Sequence, residues 1–80
     1  MRNSTRLREL LRSGTTVVAP GIYDGIGLRL VERAGFPAAY ASGGAIARGN
    51  GIPDLGLLSL SEIAARLEQI VDVAGIPVIA

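Results

Sequence analysis

The stretch AAYASGGAIARGNGIPDLG, residues Ala38 to Gly56, passes from a short apolar run into glycine-rich chain. Ala38–Ala41 has no polar alternation, so it reads as a strand buried on both faces, the kind found in parallel sheets. A similar run, TTVVA at Thr15–Ala19, precedes it by one helix-length segment, which is the spacing of a βαβ unit. The pattern predicts an α/β fold.

Working outward, Ser4–Ser13 has a short helical pattern, with Leu7, Leu10 and Leu11 on one face and Gly14 suited to a left-handed stop. The Thr15–Ala19 strand is expected to end in a turn at Pro20-Gly21. Asp24 is most simply the cap of a second helix, which carries Ile26, Leu28, Leu30 and Val31 and closes at Ala34-Gly35. Ser59-Leu60-Ser61-Glu62 is a capping box, and Leu58 and Ile63 are placed to form a hydrophobic staple. The helix it opens has an apolar face of Ile63, Leu67, Ile70, Val71 and Ala74 and is expected to end at Gly75.

IPVIA, Ile76–Ala80, then begins a third strand. Such a strand, with no helix after it, would leave an apolar edge and face uncovered, which proteins avoid. Residues 1–80 are therefore expected to be an incomplete N-terminal portion of one larger domain, a helix followed by βαβαβ and truncated within the third strand. That order opens either a (β/α)8 barrel or a doubly wound sheet.

Composition narrows the chemistry. Of 80 residues, 49% are hydrophobic and only 4% aromatic, a supply of small aliphatic side chains suited to helices on a sheet. Eight arginines against seven acids leave a net charge of +1, which argues against nucleic acid or an anionic membrane as partner. There is no His and no Cys, hence no imidazole base, thiolate or disulfide framework. Apolar runs are too short to span a bilayer and the N-terminus lacks a secretory pattern, so a cytoplasmic location is expected and the Asn3-Ser4-Thr5 sequon is discounted.

The candidate site is the segment Ser42–Leu58, read as a long loop at the carboxyl end of the second strand, where α/β folds bind ligands. Ser42-Gly43-Gly44 offers a hydroxyl and successive unshielded N–H groups that either cup a carboxylate or phosphate oxygen or simply make a tight turn. Asp54, the sole acid between Glu32 and Glu62, is either a ligand for a hard cation or an Asx turn after Pro53. Tyr40, at the strand end, either points its hydroxyl at a ligand or merely fills the barrel top. Arg48 is either an anion contact or a solvated side chain. Gly25-x-Gly27 lacks the third glycine of a dinucleotide fingerprint.

From about Arg6 onward the chain resembles the isocitrate lyase and phosphoenolpyruvate mutase superfamily, particularly its 2-methylisocitrate lyase-like branch. The resemblance rests on Tyr40-x-Ser42-Gly43-Gly44 followed by Pro53-Asp54-x-Gly56. It implies a (β/α)8 TIM barrel and a Mg2+-dependent (or Mn2+-dependent) carbon–carbon lyase acting on a small 2-hydroxy or 2-oxo carboxylate through an enolate. It also implies a homotetrameric parent. By the same resemblance Tyr40, Ser42, Gly43 and Gly44 bind substrate, and Asp54 joins the metal's outer shell through water. Mutase-type and oxaloacetate decarboxylase activities share this part of the fold. A small non-catalytic module that binds an anion or a partner chain is the alternative of another class.

The superfamily's Asp-x-Asp-x-Gly-x-Gly metal segment would follow Ala80, and its Lys-x-Cys-Gly-His loop would come later still. None of residues 1–80 is therefore assigned as catalytic. The 80-residue chain alone should show no Mg2+-dependent turnover of 2-methylisocitrate in a steady-state assay.

Overall fold

The computed structural model describes residues 2–51 and 59–80. The elements are α1 (Asn3–Arg12), β1 (Gly21–Ile22), α2 (Gly25–Arg33), β2 (Ala39–Ala41), α3 (Gly43–Gly49), α4 (Leu60–Asp72) and β3 (Val78–Ile79). The three strands are parallel in the order β1-β2-β3, with Gly21 opposite Tyr40, Ile22 opposite Ala41, Ala39 opposite Val78 and Tyr40 opposite Ile79.

This register makes the two faces of the sheet unlike. Ile22, Ala39 and Ala41 point to one side and form a core with Leu28 of α2 and Ile70 of α4, against which Val31, Leu67, Ala74, Ile76 and Val78 pack. Small alanines in the central strand let the two helices lie close to it. Tyr40, between two buried alanines, projects to the other side and is 42% exposed.

The first strand lies later than the Thr15–Ala19 run suggested. The ladder instead includes the Pro20 carbonyl, which accepts the Tyr40 N–H at 2.9 Å, and continues through Gly21 and Ile22, so Pro20-Gly21 is not a turn that ends a strand. The hydrogen-bonding groups supply the reason. Tyr40 bonds toward β1 and Ala39 toward β3, so the next residues back that face β1 are Ala38 and Phe36. Pro20 has no N–H to give the Ala38 carbonyl, and the Phe36 N–H is already donated to the Val31 carbonyl at 3.3 Å. Val18 is left 56% exposed.

The caps behave as the sequence implies. Asp24 Oδ1 accepts the Gly27 N–H at 2.7 Å, and Gly35 reverses the chain after α2 with its own N–H on the Glu32 carbonyl. Ser59 Oγ accepts the Glu62 N–H at 3.2 Å and donates to Glu62 Oε1. Leu58, the other half of the expected staple, lies outside the described residues.

The apolar face of α4 is narrower than expected, since Val71 is 56% exposed. Its helix ends at Asp72, and Gly75 is not among the positive-φ glycines. Gly14, by contrast, takes the left-handed conformation expected after α1, with φ 78°.

Asp24→Ala should lower the urea midpoint by the equivalent of about 1 kcal/mol, the usual worth of an N-cap, while Asp24→Asn should stay within a few tenths of that unit.

Candidate functional site

The carboxyl edge of the sheet is built by the residues that leave β1 and β2. Extending the register by one step brings Tyr23 alongside Ser42, so the two strands release a phenol and a hydroxyl at neighbouring points. Tyr40 stands two residues before Ser42, on the sheet face away from the α2 and α4 core.

Beyond Ser42 the chain does not run as a loop. Gly43–Gly49 is a helix, which corrects the reading of Ser42–Leu58 as continuous loop. Two forces outweigh the poor helix propensity of its glycines. Ser42 caps the helix, its Oγ accepting the Ala45 N–H at 3.2 Å and its carbonyl accepting the Ile46 N–H at 2.9 Å. Ile46 and Ala47 are buried and tie the turn to the body of the molecule. The signal was present in the sequence as a serine followed, four and five residues later, by apolar side chains.

This geometry joins the two alternatives that the sequence left open for Ser42-Gly43-Gly44. The segment is a turn, and it retains donors. Gly43 and Gly44 are the first two residues of α3, where an α-helix leaves N–H groups without acceptors of its own. The Ser42 hydroxyl serves its cap as an acceptor, and its proton has no acceptor among the described residues. A Cβ on Gly43 would meet nothing within 4 Å among the described residues, so that position stands open to them.

Tyr23 is a residue that the sequence reading passed over. With Ala45, Arg48 and Gly49 it lines an open recess of about 320 Å3. Gly49 is required for this contact, since a Cβ there would come within 2.7 Å of Tyr23 Cδ2. Arg48 is exposed at the same recess.

Asp54 lies outside the described residues. Among the described residues there is no group of three or more His, Cys, Asp or Glu side chains able to hold a metal ion, so they do not by themselves fit one. No helix among them is long and apolar enough to cross a membrane.

A parallel sheet in sequential order with helices between its strands defines the class as α/β. Residues 7–80 match the profile of the phosphoenolpyruvate phosphomutase family, and the chain belongs to that family. It is 44% identical over its whole length to 2,3-dimethylmalate lyase of Eubacterium barkeri, covering 28% of that protein. It is 48% identical over 91% of its length to 2-methylisocitrate lyase of Aeropyrum pernix, covering 24% of it.

Among solved structures, phosphonopyruvate hydrolase in complex with oxalate and Mg2+ superposes with a TM-score of 0.92 at 28% identity, over 98% of this chain and 28% of that one. The chain thus spans about a quarter of the length of the relatives it matches, and its fold is that of the N-terminal part of the superfamily's TIM barrel.

In a Tyr40→Phe background, where Tyr23 is the sole tyrosine, Gly49→Ala should change the near-UV circular dichroism of Tyr23 by displacing its ring. The far-UV helical signal should stay within error.

Proposed function

We propose that residues 1–80 are the N-terminal portion of a single (β/α)8 domain and supply the substrate-cradling segment of a Mg2+-dependent lyase, with Mn2+ as substitute. The enzyme cleaves a C–C bond of a small 2-hydroxy or 2-oxo carboxylic acid of the 2-methylisocitrate kind. The observation that carries this reading is the Ser42-capped turn at the carboxyl edge of β2, which combines one hydroxyl proton with the N–H groups of Gly43 and Gly44. Such donors match a carboxylate oxygen and the oxygen that gains charge as an enolate forms.

Tyr40 lines the same pocket from the strand. Asp54 is assigned to the metal's outer shell by its place in Pro53-Asp54-x-Gly56. No step is assigned to the ion. Support for it comes from the Mg2+ and oxalate complex of phosphonopyruvate hydrolase, oxalate being a small dicarboxylate. The same reading carries a cytoplasmic, homotetrameric parent that acts on neither nucleic acid nor membrane. Phosphorus–carbon chemistry is the second reading, favoured by the names of the matching family and of the hydrolase.

The test is to follow the coding frame past Ala80, express the whole product and assay it on 2-methylisocitrate, 2,3-dimethylmalate and phosphonopyruvate, with Mg2+ and after chelation. C–C cleavage that disappears on chelation and returns with Mg2+ is expected. Turnover of phosphonopyruvate alone, or a frame that stops at Ala80, would sink the reading. In that enzyme Gly43→Ala should weaken oxalate inhibition roughly tenfold without loss of thermal stability, because the added methyl group meets no atom of the described residues but stands where a ligand must approach.

A further inference from the structure

The end of the molecule away from the candidate site carries an arrangement that the lyase reading does not use. Among the described residues, the side-chain hydrogen bonds that join parts of the chain distant in sequence all end on the turn before β3. Asn3 Nδ2 donates to the Ile76 carbonyl at 3.3 Å, and Arg6 Nη1 donates to the Gly75 carbonyl at 2.7 Å. From the other side, Glu32 Oε1 of α2 accepts the Gly75 N–H at 3.1 Å.

The helix that supplies the first two bonds has little to hold it in shape. α1 is ten residues long, shorter than an isolated helix needs to be stable in water. Its N-cap, Arg2, makes no side-chain cap bond, its first turn has no acid, and none of its residues is buried. Leu7 and Leu10 are half-buried, and Leu11 is 64% exposed. Asn3, the first residue of the helix, ties it outward through its amide N–H to Ile76.

We propose that α1 is a detachable strap. Its helical order depends on the Asn3 and Arg6 bonds to the Gly75-Ile76 turn, and its release loosens the lead-in to β3 while the β1-α2-β2 body stays formed. Glu32 keeps the turn tethered to α2 when the strap opens, so opening is a local event. The strap is fastened at the amino-terminal end of β3, the end that in barrels serves stability, and acts independently of ligand binding at the opposite edge.

Amide hydrogen exchange on the whole enzyme, followed in the peptides that cover residues 1–80, tests this. Arg6→Ala should lower protection roughly tenfold across residues 3–12 and 78–79, the scale expected for one lost charge-assisted bond, and less than twofold in α2. Arg8→Ala removes the same charge from an exposed position on the same helix, one with no side-chain bond seen among the described residues, and should leave α1 protection unchanged. Equal losses for Arg6→Ala and Arg8→Ala, a loss spread evenly through α2 and α4, or an α1 already unprotected in the parent chain would each overturn the proposal.

Discussion

The structure depends on two consecutive hydrogen bonds made by the central strand. The Ala39 N–H donates to the Pro77 carbonyl at 3.0 Å on one side, and the Tyr40 N–H donates to the Pro20 carbonyl at 2.9 Å on the other. Each proline can accept but cannot donate, so each stands at the start of its strand, where a missing N–H costs nothing to the ladder. The pair fixes the register of all three strands. That register in turn sends the alanines of β2 into the core and Tyr40 to the opposite face. Shifting it by one residue would bury the phenol and expose the alanines.

Local chemistry was the legible part of the sequence. Asp24 and Ser59 announced their helices because a cap is a short-range bond between a side chain and an N–H two or three residues on. Gly14 and Gly35 announced stops for a similar reason, and both have positive φ. The position of β1 was not legible from its own residues. Thr15–Ala19 has the composition of a strand, yet extending the ladder over it would need an N–H that Pro20 lacks and a Phe36 N–H that the Val31 carbonyl already holds.

Helix α3 was hidden by a competition between two rules. Gly43, Gly44 and Gly49 argue for a loop, whereas the Ser42 cap and the burial of Ile46 and Ala47 argue for a helix. Burial wins because its worth per side chain exceeds the glycine penalty. The N–H groups of Gly43 and Gly44 therefore stand in the first turn of a helix instead of an open cup. Tyr23 went unnoticed because its position depends on a ring packing against Gly49 across the strand ends, a tertiary contact with no local signature.

Gly21 has a wider consequence. It sits beside Tyr40 in the cross-sheet row that ends at Ile79, and space around it is open. The phenol therefore has a bulky neighbour on one flank and none on the other, so its lateral sweep is toward β1. A change at this one position, on the face away from the core, would narrow that sweep while leaving the helix packing untouched. The reach of the aromatic ring and the packing of the interior are thus separately adjustable at residue 21.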